Sequence, residues 1–184
     1  MTGSTAPTRQ ARLALTPNTS MAGLLDGAWW PYSRDLAAEL PALADALRGR
    51  FGRVTRIAAN PAPWPVAPYK VPVGERLVHV GWFIDQAPDV MILLSYSLGR
   101  CDLLVVPPET GPAAAARLMA AASAPGNVHT TDTLMSEEGA TGRLLQEAGD
   151  RENARETEGG ASRRPRPRAV VGARMIPLPW TLRR

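Results

Sequence analysis

The chain has 184 residues, of which 45% are apolar, and a formal net charge of +4; this suits one globular domain with extensions and is too short for two independent cores. The only cysteine is Cys101, which excludes intramolecular disulfides and argues against a thiolate metal cluster. No apolar run reaches the length of about 18 residues that a membrane-spanning helix needs. Residues 1–10 are polar and lack the apolar region of a signal peptide, so we expect a flexible N-terminus and a cytoplasmic protein.

The first predicted elements are a short strand and a helix. Residues 12–16 alternate apolar and polar side chains, which favours a strand, and residues 23–31 have the turn residues of a loop. Ser33 is expected to cap the helix, with Asp35 in its first turn. Pro41 predicts a kink or a restart within the helix. Leucines spaced by four, three and four residues form its apolar face: Leu36, Leu40, Leu43 and Leu47.

The remaining predicted strands are residues 53–58, 76–84, 90–98 and 101–106. The last two apolar runs join through Gly99, which favours a hairpin because glycine readily adopts a positive φ. Residues 60–72 contain five prolines and are predicted to form a loop, since proline pairs poorly within a sheet. Residues 112–123 are rich in alanine and start with proline, a pattern typical of a helix, whereas residues 131–145 predict only one or two weak helical turns.

This order of elements predicts an α+β fold. Three closely connected strands favour antiparallel pairing, so we expect about five mostly antiparallel strands with two main helices packed on one face. The single α+β domain is predicted to cover residues 11–136. Residues 137–184 are expected to form a disordered tail, and residues 147–168 in particular lack the large apolar side chains that would offset the entropic cost of ordering.

Charge is segregated along the predicted tail. Residues 137–160 carry seven acidic and three basic side chains, whereas residues 161–184 carry seven basic side chains and no acidic one. Arginines separated by prolines stay extended and can reach phosphates. Nucleic-acid binding is therefore one hypothesis, and a solvated tail, or one folded back on the acidic segment, is the alternative. The arginines concerned are Arg163, Arg164, Arg166 and Arg168.

A second apolar segment lies near the C-terminus. Two prolines, Pro177 and Pro179, exclude a regular helix and favour an extended conformation. An extended apolar strip with a tryptophan anchor has the form of a docking motif for this chain's own domain, a second copy or another protein. The proposed docking residues are Met175, Ile176, Leu178 and Trp180.

The sequence contains no pattern that predicts catalytic, cofactor-binding or metal-binding residues. Neither His79 nor His129 has a second histidine or a carboxylate at metal-ligand spacing. Cys101 follows Arg100, a cation that can lower a thiol pKa; packing is the alternative role for this cysteine.

The most distinctive local feature is a pair of adjacent tryptophans, Trp29 and Trp30, which follow Asp26. They can anchor the loop on the sheet, since each tryptophan buries roughly 200 Å². Alternatively, they can line a ligand pocket to which Trp64 and Trp82 contribute. Asp26 and Arg34 are then candidates for an ion pair across the loop.

The stretch Leu-Asp-Gly-Ala-Trp-Trp-Pro at residues 25–31 resembles an actinobacterial family known only as a domain of unknown function. The resemblance continues at residues 33–43, at residues 81–83 (Gly-Trp-Phe) and at residues 102–108 (Asp-Leu-Leu-Val-Val-Pro-Pro). It covers about residues 10–136 and implies no catalytic residue.

Three functional hypotheses follow. The first is a non-catalytic interaction or regulatory protein that binds a protein partner or self-associates, and the second is nucleic-acid or phosphate binding through the basic tail. The third is a small ligand-binding protein or enzyme that uses the tryptophan-rich loop. A pocket with two or more convergent polar side chains would favour the third hypothesis, and a filled, convex core would favour the first.

Overall fold

The computed structural model describes residues 9–18 and 21–159, with side chains described as far as residue 155. Within these residues the elements are β1 (Arg12–Leu15), β2 (Gly27–Trp30), α1 (Leu36–Phe51), β3 (Val54–Ala59), β4 (Lys70–Val73), β5 (Arg76–Trp82), β6 (Val90–Ser95), β7 (Gly99–Val105), α2 (Pro112–Ala122) and α3 (Thr131–Gly159). The α+β class predicted from the sequence is confirmed. None of the described helices is long and apolar enough to cross a membrane.

The described strands form one mixed sheet of seven strands in the order β1-β2-β7-β6-β3-β5-β4. The pairs β2/β7 and β3/β5 are parallel, and the other four pairs are antiparallel. The predicted hairpin between β6 and β7 is present, with Gly99 at φ 83°. The prediction of about five mostly antiparallel strands is therefore wrong in its count, and it missed both parallel pairings.

The two missed strands are β2 and β4, each four residues long. Strand β2 is buried on both faces, so its apolar run lacks the alternation by which strands are recognised. It starts at Gly27, where a Cβ would lie 2.1 Å from the carbonyl oxygen of Ala14 on β1, so only glycine allows the two backbones this approach. Strand β4 contains Pro72, which is tolerated because β4 is the last strand of the sheet among the described residues and pairs there on one side only.

Helix α1 is capped by Asp35, whose carboxylate accepts from the backbone N–H groups of Ala37 and Ala38 at 3.0 and 3.2 Å. The prediction of Ser33 as the cap is wrong; its hydroxyl instead accepts from the Asp35 N–H and donates to Glu39. The helix continues through Pro41 without interruption and ends at Phe51, with Gly52 as its C-cap at φ 77°. Its leucine face is buried, as predicted.

The two main helices pack on opposite faces of the sheet, which corrects the prediction of a single helical face. Neighbouring residues of a strand point to opposite sides. Trp29 of β2 and Leu103 of β7 therefore pack in the core under α1, whereas Ala28 and Leu104 pack with α2. Leu134 of α3 belongs to this second cluster.

Helix α3 corrects the prediction of a tail that is disordered from residue 137. It runs from Thr131 to Gly159, and a compact unit of the chain ends within it at Leu145. Beyond that point the residues bury little, but glutamate, alanine and arginine have high helix propensity, and Arg151 pairs with Glu147 at 3.1 Å one turn away. A polar helix can thus form without a core. The remainder of the predicted tail, residues 160–184, lies outside the described residues.

Candidate ligand-binding pocket

A pocket lies at the end of the sheet where four strands terminate. Strands β2, β7, β3 and β5 run in one direction, as their pairings require, so their carboxyl ends lie together at this end of the sheet. Ligands of open sheets with parallel strands commonly bind outside these ends. The pocket is about 250 Å³ in volume, and its walls come from the segments after β2, β3 and β7 and from the segment before β6.

Proline dominates the walls of the pocket. Five prolines line it, together with Trp64, Ala62 and Val105, and the two charged side chains are Arg34 and Asp89. Proline fixes its own φ, so these walls lose little conformational entropy when a ligand binds. The prolines are Pro31, Pro63, Pro88, Pro107 and Pro108.

Trp64 is held in place from behind by Trp29. The two rings stack with their centroids 6.0 Å apart and their planes at 18°, and Trp29 itself is only 1% exposed. The backbone N–H of Trp64 donates to the carbonyl of Pro61 at 3.0 Å, closing a tight turn. The aromatic wall of the pocket is therefore anchored directly in the core under α1.

Arg34 is already bound by groups of the protein. Its Nη1 donates to the carbonyl of Pro63 at 3.0 Å, and its Nη2 forms an ion pair with Glu109. The hydrogen bond from Arg34 lowers the pKa of the Glu109 carboxyl below its usual range. This bridge joins the segments that follow β2, β3 and β7, so Arg34 shapes the pocket.

Asp89 is the polar group of the pocket that remains available. Its backbone carbonyl accepts from the N–H of Val105 at 2.8 Å, which fixes the residue beside β7, but no described residue donates a hydrogen bond to its carboxylate. Burial raises the pKa of Asp89, the negative charge of Asp132 raises it further, and Arg34 opposes the shift. A half-buried carboxylate without a donor favours a ligand that supplies one.

Of the residues predicted to form a tryptophan-lined site, Arg34 and Trp64 line this pocket. Trp29 stands behind Trp64, while Trp30 packs on the opposite face of the sheet, where the guanidinium of Arg12 lies 3.4 Å from its ring centroid. The indole N–H of Trp82 donates to the carbonyl of Pro68 at 3.1 Å. The four tryptophans therefore do not converge on one cavity.

The suggested ion pair between Asp26 and Arg34 does not form. Asp26 precedes β2 and Arg34 follows it, so the two residues lie at opposite ends of this strand. The Asp26 carboxylate accepts from the backbone N–H of Asp102 at 2.8 Å. Sequence reasoning missed Asp89 and Glu109. Each directly follows a proline at an end of a strand, but only the strand order shows that these ends meet at one end of the sheet.

Cys101 is buried in the core, and its environment opposes reactivity. Burial raises the pKa of the thiol to about 12, the charges of Asp26 and Asp102 add to this shift, and Arg50 partly offsets it. The hypothesis that Arg100 activates Cys101 is wrong, because Arg100 is bound bidentately by Asp102.

We therefore expect the Cys101 thiol of the folded protein not to react with the disulfide reagent dithiobis(nitrobenzoate) at mildly alkaline pH. In denaturant the same thiol should react fully, because the unfolded chain exposes it and restores its ordinary pKa. Absorbance of the released thiolate measures both reactions, and Cys101→Ser provides the blank. Rapid stoichiometric labelling under native conditions would contradict the buried assignment.

Two further predicted sets, the arginines at 163–168 and the apolar strip at 175–180, lie outside the described residues. Within the described residues, no three histidine, cysteine, aspartate or glutamate side chains are grouped as a metal site would require.

Comparison with known proteins shows to which family the chain belongs. No curated protein and no solved structure matches the chain. Residues 12–122 match the family described as "Family of unknown function (DUF5994)". This match extends from β1 to the end of α2, so it contains both parallel strand pairs and every lining residue of the pocket. The chain therefore belongs to this family of unknown function.

Proposed function

We propose that the protein is a non-catalytic binding protein whose pocket takes a small ligand with an apolar body and an amine or similar donor group. The observation that carries this proposal is the Asp89 carboxylate, which faces a proline- and tryptophan-walled pocket and receives no hydrogen bond from the described residues. This half-buried carboxylate is partly removed from water, and a ligand donor placed there would give it a hydrogen bond that no described residue supplies.

Charge around the pocket favours a cation over an anion. Arg34 forms an ion pair with Glu109, which offsets part of its charge, whereas the charge of Asp132 adds to that of Asp89, since it raises the Asp89 pKa. An ammonium group near both carboxylates would be attracted by both charges. Its apolar body would then contact the exposed part of Trp64, which is 5% of that residue, and the neighbouring proline rings.

The lining supports binding and offers little for chemistry. The described residues of the wall include no hydroxyl, thiol or imidazole side chain, the groups that most often act as nucleophiles or general bases. At about 250 Å³ the pocket is close to the lower end of the usual range for small-molecule sites. A ligand the size of one substituted aromatic ring would fill it.

The test is a titration with benzylamine and phenethylamine, monitored by the indole N–H signal of Trp64 in nitrogen-15 NMR spectra. Benzoate and phenylacetate serve as probes of equal size and reversed charge. We expect the amines to shift the Trp64 signal saturably and the acids to have no such effect. Trp64→Phe identifies the signal. Equal responses to amines and acids, or none to either, would reject the proposal.

Asp89→Asn should abolish amine binding and at the same time stabilise the fold at neutral pH. Because the pKa of Asp89 is raised in the folded state, the folded protein holds this proton more tightly than the unfolded chain. The free energy of unfolding of the native sequence therefore falls as pH rises from the ordinary aspartate pKa through the folded one, and stays lower above it. The asparagine variant lacks that decline.

Urea unfolding at a series of pH values measures this difference. Asp85→Asn removes an exposed negative charge from the same loop and is the matched control. A variant at position 89 that loses stability at neutral pH would show that the carboxylate is a structural acceptor after all.

An interaction role through residues 175–180 and nucleic-acid binding through the arginines at 163–168 remain separate proposals, which rest on the sequence alone.

A further inference from the structure

The folded body is itself charge-segregated, although residues 1–136 carry 11 basic and 10 acidic side chains in total. Residues 48–79 hold six basic side chains and one acidic one, so the other residues of the 1–136 range are together net acidic. This basic stretch runs from the last turn of α1 to the middle of β5 and includes β3 and β4. Three of the six basic side chains, Arg56, Lys70 and Arg76, lie on β3, β4 and β5, and the other three lie on α1 or between α1 and β3.

Strand register places two of these cations, Lys70 and Arg56, in one row. Lys70 of β4 pairs with His79 of β5, and His79 pairs in turn with Arg56 of β3. The row continues through Leu94 of β6 to Arg100 of β7. Neighbouring strands lie about 4.8 Å apart, so Lys70 and Arg56 are separated by roughly 10 Å across the sheet. We call these five residues the transverse row.

The transverse row lies on the face of the sheet that α1 does not cover. All five of its side chains are exposed. Their neighbours along the strands, such as Val71, Val80 and Ile57, point the other way into the core under α1. Helix α2 packs against β1, β2 and β7, which leaves the described part of β3, β5 and β4 open on this face.

Only part of the positive charge on this face is neutralised. Arg100 is held by Asp102 through two hydrogen bonds of 2.6 and 2.7 Å. Among the described residues, in contrast, no acidic side chain forms an ion pair with Arg56 or Lys70. Two cations flanking a histidine are therefore available to a ligand.

An aromatic ring lies next to the row. Gly81 of β5 pairs with Ala58 of β3, two residues beyond the pair of His79 and Arg56 and on the same face of the sheet. Both residues are small, so no large side chain projects from the sheet at this position. A Cβ at position 81 would lie 2.9 Å from the Cε2 atom of Phe83, so the Phe83 ring rests on this glycine. Phe83 is nevertheless 54% exposed. An exposed ring beside phosphate-binding cations is the arrangement on which single-stranded bases stack.

We propose that this open face binds single-stranded nucleic acid, with Lys70 and Arg56 on successive phosphates and a base stacked on Phe83. The side chains of the transverse row are exposed, so an extended single strand can reach them. An acidic protein segment would satisfy the cations equally well, but it would make no use of an exposed aromatic ring on a glycine floor. The aromatic ring therefore favours nucleic acid. This site is distinct from the pocket at the carboxyl ends of the strands, and its failure would leave the amine-binding proposal unaffected.

Fluorescence anisotropy with labelled oligo(dT) and oligo(U) tests the proposal on the full chain over a range of salt concentrations. Each phosphate contact contributes about 0.7 to the slope of log K against log salt for a single strand. We expect Arg56→Gln/Lys70→Gln to reduce that slope by about 1.4. Phe83→Leu keeps the apolar contact but removes the stacking ring, and it should weaken binding about tenfold at unchanged slope.

Two controls separate this face from other sources of positive charge. Arg143→Gln/Arg155→Gln removes the same charge from exposed positions on α3 and should leave the slope unchanged. Replacing Arg163, Arg164, Arg166 and Arg168 by glutamine removes the tail charge and should preserve the effects of the sheet variants.

Three results would overturn the proposal. The first is that the full chain does not bind the oligonucleotides, and the second is that the tail variant alone abolishes binding. The third is that polyglutamate competes with the oligonucleotides equally well and that Phe83→Leu leaves their binding unchanged. The last result would identify a general polyanion surface. Circular dichroism verifies that each variant is folded, as expected for exposed side chains.

Discussion

Replacing Trp29 by alanine is expected to lower the free energy of unfolding by about 3–5 kcal/mol, the usual range for truncating a large buried aromatic side chain. Trp29 is 1% exposed and lies in the core under α1. Its loss would also remove the ring on which Trp64 stacks, so the pocket wall should loosen together with the core. Equilibrium urea denaturation measures the change.

Tyr96→Ala is the matched control for Trp29→Ala, because it truncates an aromatic side chain that is 96% exposed. It should change the free energy of unfolding by less than about 0.5 kcal/mol. A similarly small change at Trp29 would contradict its assignment as a core anchor.

Leu40→Ala is expected to cost about 2–5 kcal/mol. Leu40 is fully buried on the face of α1 that covers the sheet, and its neighbour Pro41 restricts how the helix can adjust. The cavity left by the missing side chain would therefore close only partly. Chemical denaturation followed by circular dichroism gives the loss of stability.

The control for Leu40 is Leu144→Ala, the same substitution in another helix at a side chain that is 66% exposed. Both variants change helix propensity equally, so the difference between them isolates burial. Equal effects at the two positions would show that helix propensity, and not the core, accounts for the loss at Leu40.

The elements that the sequence predicted well are those whose pattern is local. The leucine spacing of α1 and the alanine-rich run of α2 reveal a buried face or a high helix propensity without knowledge of the partner. The hairpin of β6 and β7 has its own turn signal at Gly99. Strand β2 has no such signal, because its four residues do not alternate, and its parallel partner β7 and the helix α2 on its other face both lie far away in the chain.

The candidate site depended on the elements that were missed. Trp64 was predicted as a pocket residue because it is a tryptophan in a proline-rich loop, and Arg34 because it lies near the tryptophan pair. Asp89 became visible only when the parallel pairing brought the ends of β2, β3 and β7 together. In α3 the error had another cause, since lack of apolar residues excludes a core but does not exclude a helix.

The central claim is that a small amine binds between Trp64 and Asp89. The most direct measurement is an intermolecular nuclear Overhauser experiment on the protein saturated with phenethylamine. We predict contacts from the ligand ring protons to the Trp64 indole and to Pro107 and Pro108, and from its methylene group next to nitrogen to the Asp89 β-protons. Contacts confined to other surfaces, with none to Trp64, would contradict the account.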